Sequence, residues 1–477
     1  MRILFAAAEA VPFIKTGGLA DVIGALPQAL SRSGHDVRVV LPKYRGISAQ
    51  FRDQMEHLGE VYVPVGWRSQ YCGIEKLVYD GITYYFIDNE YYFGRDSVYG
   101  YGDDGERFAF FNRGVLQILK AIDFQPDVIH CHDWHAALIP VLLDAHYRYD
   151  LFYYEMRTVF TIHNLLYQGI FPYEVLGELL ELDNRYFTMN GLEYYGKVNY
   201  MKGGIVYSDH VTTVSPTYAR EIQTDHYGYG LNGLLQSLGP KLSGIVNGID
   251  TKSYNPATDS QIAVKYRSSM AKKKENKVRL QEELGLPVSA DTPLVAMVTR
   301  LVDSKGLDLV VRVLDEMLTF EDMQFVLLGT GDSQYEHWFR EAEQRHPHKL
   351  SAQITFSDAL SRKIYASSDI FLMPSNFEPC GISQLLALRY GSIPVVRETG
   401  GLNDTVHAYN EFTGQGNGFS FTNINAHDMM HTIRRAISFY RQPEHWNKIV
   451  KNATSGDYSW NVSAQEYSDI YKQITTQ

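Results

Sequence analysis

The stretch "KTGGLADV", Lys15 to Val22, sets a lysine ahead of two glycines just after the first apolar run, "RILFAAAEAVPF". A cation beside a glycine turn, at a strand-to-helix junction, is a place to hold an anion. Glycine lets backbone approach closely, and the first turn of a helix presents unpaired N–H groups. The order is the reverse of the usual phosphate loop, in which the glycines precede the lysine. "RLVDSKG", Arg300 to Gly306, is a second such place. Arg300 follows the strand-like "LVAMVT", and Lys305 stands at the start of the next helical pattern. A guanidinium fork and an ammonium point charge converging there suit a diphosphate. In "NFEPCGIS", Glu378 follows the strand-like "DIFLMP". Pro379 sets the turn and Gly381 permits close approach. Amide donors beside a carboxylate suit a sugar phosphate: the amides meet phosphate, and the carboxylate accepts from neutral hydroxyls. "ETGG", Glu398 to Gly401, repeats the pattern one strand later. "TIHN" ends a buried-type strand with His163 and Asn164. No Asp-x-Asp occurs anywhere. Lysine, arginine and amides are therefore expected to neutralise the bound phosphates, with no metal and no other cofactor.

Two apparent motifs fail on context. "GYGLNG" (Gly228, Gly230, Gly233) has the dinucleotide spacing, but the preceding "PTYAREIQTDHY" reads as a helix, where the fingerprint needs a strand. "HCHDWH" offers His130, His132 and His135 near Cys131. His130 and His132 share one side of a strand and Cys131 takes the other, and no HExxH or paired CxxC accompanies them. A polar cluster at the mouth of a cleft, with Asp133 as its charged member, is the better expectation.

These loops need strands to carry them. The 477 residues exceed a single ordinary core. "RILFAAAEA", "HDVRVVLP", "PDVIHCH", "RTVFTIHN" and "DHVTTVSP" are short, apolar and β-branched, each followed by a turn or helical pattern. The alternation restarts after a charged stretch that reads as exposed, "KYRSSMAKKKENKVRLQEELGLP". There follow "PLVAMVTRL", "MQFVLLGTGD", "DIFLMPSNFEPCG" and "IPVVRETGG". This is βαβ grammar, and ligands bind at the carboxyl ends of such strands. We expect two doubly wound α/β domains, residues 1–242 and 243–456, and a terminal helix over 457–477 with Trp460, Ala464, Tyr467 and Ile470 on one face. Apolar residues make up 45% and charged residues 21%, an ordinary globular mix. The net charge of −11 argues against a nucleic-acid partner. The absence of a long apolar run argues against a membrane. Three scattered cysteines, and no signal-peptide pattern, suit the cytoplasm. The 34 tyrosines serve as packing and surface residues, and also suit an enzyme that stacks rings on sugars.

With "KTGGLADV", "HDWHA", "TIHNLLYQG", "VSPTYAREI", "GYGLNGLL", "NGID", "TRLVDSKG", "FEPCGISQL", "TGGLNDTV" and "YSWNVSAQEY" in order, the chain resembles bacterial glycogen synthases and plant starch synthases. The resemblance covers nearly the whole length. It implies the GT-B fold, two Rossmann-like domains facing across a cleft, the first on the acceptor side and the second on the donor side. The terminal helix would return to the first domain. It implies retaining transfer of glucose from ADP-glucose to the non-reducing 4-hydroxyl of an α-1,4-glucan such as glycogen or a maltooligosaccharide.

Residue by residue, the resemblance gives Lys15 and Gly18 the donor's diphosphate and sugar. Glu9 and Asp21 would line the cleft on the acceptor side. Asp133, His163 and Asn164 would lie beside the transferred glucose, and Asn247 in the cleft. Arg300 and Lys305 would meet the diphosphate. Glu378, with the amides of Cys380, Gly381 and the Gly400–Gly401 turn, would meet sugar and phosphates. Phe356 would stack on adenine. Lys15, His163, Arg300, Lys305 and Glu378 are thus the expected catalytic set. Many GT-B enzymes carry a second glutamate eight residues after the first; here that position is Leu386. A phosphorylase-like transferase would need a pyridoxal phosphate lysine and a much longer chain. A glucan-binding protein without catalysis would be expected to lose Lys15, Arg300, Lys305 or Glu378, and all four are present.

Overall fold

A computed structural model describes residues 1–477. The chain forms two units. One comprises Met1–Asn247 with Trp460–Gln477, and the other Gly248–Ser459. The first unit contains β1 (Arg2–Ala6), β2 (Asp36–Pro42), β3 (Glu56–Val65), β4 (Arg68–Tyr79), β5 (Ile82–Asp88), β6 (Val128–His132) and β7 (Arg157–Ile162). Its nine-stranded sheet runs Leu242–Gly244, His210–Thr213, β7, β6, β1, β2, β5, β4, β3. Every pairing from the first edge to β5 is parallel. Helices cover both faces of such a sheet, so its strands must be apolar throughout. Ile3 to Ala6 are wholly buried. Helix α1 (Gly18–Arg32) turns Leu19, Val22, Ile23, Leu26 and Leu30 inward.

The chain leaves β1 toward β2 on one side and returns to β6 on the other. β1 and β6 therefore flank the point where strand order reverses, the place where open α/β sheets bind ligands. The antiparallel β3–β4 hairpin lies outside the βαβ grammar that the sequence displays, and it was not anticipated.

The second unit holds a six-stranded parallel sheet, Leu350–Gln353, Gln324–Leu328, Leu294–Val298, Ile370–Met373, Ile393–Arg397, Phe419–Phe421. Leu294–Val298 and Ile370–Met373 flank its own reversal of order. The boundaries fall at 247/248 and 459/460, where sequence punctuation places them at 242 and 456. The reason is backbone pairing. Ile245 N donates to Thr213 O at 2.9 Å in the first unit, and Ile249 N donates to Tyr458 O at 2.8 Å in the second. The terminal helix Trp460–Thr475 buries Trp460, Ala464, Tyr467 and Ile470. No helix is long and apolar enough to cross a membrane.

One expectation fails. The charged stretch before "GLP" is not simply exposed. It forms the helix Met270–Leu284, and Lys273 and Lys277, one turn apart, are buried in it. Lys273 Nζ donates to the carbonyls of Tyr365, Ala366 and Tyr390 at 3.0 to 3.2 Å. Lys277 Nζ donates to Ala290 O, Thr292 O and Tyr440 Oη, and lies 2.7 Å from Asp369 Oδ2. Both ammonium groups bridge segments distant in sequence. Removing one partner of a buried pair strands the other charge, at a cost of about 3–5 kcal/mol. Lys277→Ala should thus lower the urea midpoint of the second unit sharply. Lys274→Ala, which breaks only the surface pair with Asp291, should leave the midpoint in place.

Candidate active site

In the first unit, the β1–α1 loop is organised around Glu9, which is only 1% exposed. Its carboxylate accepts from Thr16 N (3.2 Å), Thr16 Oγ1 (2.5 Å), Gly17 N (2.9 Å) and Tyr99 Oη (2.7 Å). Glu9, expected on the acceptor side, is therefore spent on shaping the loop. Tyr99, which the sequence reading missed, stacks on His135 at 4.6 Å. Its only sequence signal is a tyrosine among many. The shaped loop leaves Lys15 and Gly18 at the surface. Lys15 Nζ donates to both Asp21 oxygens, at 2.9 and 2.8 Å. Gly18 opens α1.

The loops after β6 and β7 lie beside it. Asp133 follows β6 with a φ of 58°, a strained setting for a residue with a side chain. That turn brings its Oδ1 2.7 Å from the His163 N–H, and it also accepts from the Asn164 amide. Burial nonetheless pushes the Asp133 carboxyl up to about 7. Asn164 Oδ1 accepts from Leu166 N. His163 Nε2 lies 2.9 Å from Nδ1 of His132. Burial pushes His163 down to about 3 and holds His130 and His132 well below the usual histidine range, so all three rings are neutral near pH 7. No three His, Cys, Asp or Glu side chains are grouped to hold a metal ion. Asn247, the last residue of the first part of this unit, has a buried Oδ1 with no partner in the protein.

In the second unit, Arg300 and Lys305 follow Leu294–Val298, Glu378 follows Ile370–Met373, and Gly400 and Gly401 follow Ile393–Arg397. Three adjacent strands thus bring these residues to one edge. Arg300 is exposed. Lys305 Nζ lies 2.6 Å from Glu378 Oε2, which also accepts from Ser375 Oγ at 3.1 Å. Gly306, at φ 73°, lets this turn touch its neighbour; a Cβ there would lie 1.9 Å from Pro374 O. Arg397 is a second residue that the sequence reading missed. Its guanidinium donates to the carbonyls of Ser375, Asn376 and Thr422 and fixes the loop that carries Glu378. A charge ending the buried strand "IPVVR" is the signal that was available.

Arg300, Lys305, Ser375, Glu378 and Gly381 help line a cavity of about 190 Å³. A larger hollow of about 540 Å³, lined by Met1, Arg2 and Asp127, lies at the opposite, amino end of β1 and has none of this chemistry. The Gly400–Gly401 turn acts differently from expectation. The Gly401 amide is donated to the carbonyls of Glu378 and Pro379, so it braces the loop. Cys380 is buried, and Gly381 stands at φ 77°. Phe356, after Leu350–Gln353, holds its ring 86% exposed.

The arrangement presents two cations and a carboxylate around a small cavity in one unit. In the other it presents a lysine, a neutral histidine and a proton-holding aspartate. Asp133 gives a pH test. Folded, it holds its proton up to about pH 7, whereas an unfolded aspartate releases it near 3.9. Between those values the folded state binds more protons, so stability falls as pH rises, and the full cost is present above 7. Asp133→Asn should raise the urea midpoint more at pH 8 than at pH 5. Equal shifts at both would contradict the raised carboxyl.

Residues 2–237 match the starch synthase catalytic domain family, and residues 283–455 match the glycosyl transferases group 1 family. A protein named glycogen synthase from Desulforamulus reducens is 58% identical over 475 residues, covering 99% of each chain. One of the same name from Geobacillus stearothermophilus is 57% identical, covering 99% of this chain and 98% of its own. The catalytic domain of starch synthase IV from Arabidopsis thaliana, solved with ADP and acarbose, superposes with a TM-score of 0.92. It is 36% identical and covers 100% of this chain and 99% of its own. Sucrose-phosphate synthase from Thermosynechococcus elongatus, 15% identical, covers 100% and 99% at a TM-score of 0.64 and shares the fold. The chain is a GT-B glycosyltransferase and belongs to the family of bacterial glycogen synthases and plant starch synthases.

Proposed function

We propose that this enzyme transfers glucose from ADP-glucose to the non-reducing 4-hydroxyl of an α-1,4-glucan, with retention, and so elongates glycogen in the cytoplasm. The observation that carries the proposal is the convergence of Arg300, Lys305 and Glu378 on one cavity at the strand reversal of the second unit. The starch synthase IV structure with ADP and acarbose supports it, since those ligands pair a nucleotide diphosphate with an oligosaccharide. The three cysteines are buried and not joined in disulfides, which suits a reducing compartment.

In the proposed reaction the bond from C1 to the ADP oxygen breaks, and one from C1 to the acceptor oxygen forms. Negative charge grows on the leaving diphosphate. Lys15, Arg300 and Lys305 stabilise it as it develops, which is the largest service a site of fixed charges can offer. Phe356 offers its exposed ring to adenine, and Gly18 and Gly381 let backbone approach the donor. Asn247 has an unpaired oxygen to offer the sugar. Glycosidase-style retention needs a carboxylate against the far face of C1. Glu378 is instead engaged by Lys305 and Ser375, so it accepts from the sugar's hydroxyls once Lys305 turns to the diphosphate. The acceptor's proton passes to the departing phosphate on the same face. The cations do the work that a metal would do, and we propose that no metal or other cofactor is required.

The test follows label from ADP-[14C]glucose into glycogen. Polymer-bound label should accumulate at the same rate with and without EDTA. Lys15→Ala should slow it by roughly 10²–10³-fold, the usual loss of one charge-stabilising donor. Absence of incorporation by the wild-type chain would overturn the activity. A strict need for Mg²⁺ or Mn²⁺ would overturn the metal-free part, and an unimpaired Lys15→Ala the role of that lysine.

A further inference from the structure

Three histidines run from the terminal helix to the strand ends of the first unit, and only the last of them, His163, is in the expected catalytic set. Tyr471 Oη lies 2.6 Å from Nδ1 of His130, and Nε2 of that ring lies 2.6 Å from Thr161 Oγ1. His130 is held at both nitrogens and cannot turn. Its ring stacks on His132 with centroids 4.2 Å apart and planes 26° apart. Phe5 of β1 packs on both, at 4.8 and 5.1 Å. Nδ1 of His132 then meets Nε2 of His163 at 2.9 Å. The far nitrogen of His132, Nε2, is buried without a partner. A hydrogen there would be an orphaned buried donor, rarer in folded proteins than an unpaired acceptor. The His132 proton thus belongs on Nδ1, donated to His163, which keeps its own proton on Nδ1.

We propose that Tyr471 is a positioning residue for His163. By fixing the plane of His130 it holds the stacked His132 ring with Nδ1 toward Nε2 of His163, and so keeps the His163 hydrogen on its own Nδ1. His163 then presents an N–H donor, an arrangement suited to a sugar oxygen. This consequence for turnover rests on the proposed function together with the family resemblance, which implies that His163 lies beside the transferred glucose; the coupling itself does not.

Tyr471→Phe removes the hydroxyl and keeps the ring. The full-length protein, with ¹⁵N-labelled histidines and no substrate, should show His163 protonated at Nδ1 in long-range ¹H–¹⁵N spectra. In Tyr471→Phe the two tautomers should mix. kcat should fall, by less than the roughly 10²-fold that misplacing a reacting group can cost, while KM for ADP-glucose holds. Ser463→Ala is the control. It removes a different tether of the same helix, the bond to Val246 O, and should leave both readouts as in the wild type. A wild-type His163 spectrum in Tyr471→Phe would overturn the proposal. So would tautomer mixing in Ser463→Ala, because the helix would then act by packing alone. Mixed tautomers with an unchanged kcat would support the coupling and remove His163 from the reaction, so a failure of the proposed function is seen separately.

Discussion

Parallel strands cannot be joined by a tight turn; each needs a crossover that carries the chain back to the same starting edge. Every loop that leaves a carboxyl end therefore opens on one side of the sheet. This constraint gathers the chemistry here. Glu9 and Lys15 follow β1, Asp133 follows β6 and His163 follows β7, three neighbours in the sheet. Arg300, Glu378 and Gly401 follow three neighbours of the other sheet. Residues far apart in sequence, such as Lys305 and Glu378, meet because their strands pair.

Within each unit one site lysine is paired with a carboxylate before any substrate is considered. Lys15 holds Asp21 where both are substantially exposed, an arrangement worth about 0–1 kcal/mol and easily exchanged for a ligand. Lys305 holds Glu378 where both are largely buried, at 18% and 10% side-chain exposure. That pair keeps two buried charges from standing alone, and in the proposed reaction a diphosphate arriving at Lys305 would free Glu378 to accept from sugar hydroxyls. The loops that carry these pairs are built by residues with no direct part in chemistry. Glu9 shapes one through four hydrogen bonds, and Arg397 braces the other through three carbonyls.

Much of this was legible in the sequence, because the loops are punctuated by glycine and proline and the strands are continuously apolar. Lys15, Arg300, Lys305 and Glu378 stand where local pattern places them, just past a strand. What the pattern does not encode is the far end of a contact. Lys273 and Lys277 look like members of a solvated charge run, since their acceptors lie at Tyr365, Tyr390 and Asp369. Glu9 looks like a site carboxylate because its partner Tyr99 is ninety residues away. The Gly401 amide looks available until its carbonyl acceptors at Glu378 and Pro379 are in view. In each case the local residue type was right, and the partner that sets its role came from tertiary structure.

The terminal helix Trp460–Thr475 belongs to the unit whose other residues end at Asn247. A whole second unit of about two hundred residues is synthesised in between. At about 5–20 residues per second, the first unit waits roughly 10–40 s on the ribosome with part of its apolar surface uncovered. The second unit is contiguous and can close as soon as it emerges. The order of completion is therefore the reverse of the order of synthesis. A chain cut short anywhere before Trp460 would release the first unit with the face that receives Tyr467 and Tyr471 bare, a surface of the kind that chaperones and proteases recognise.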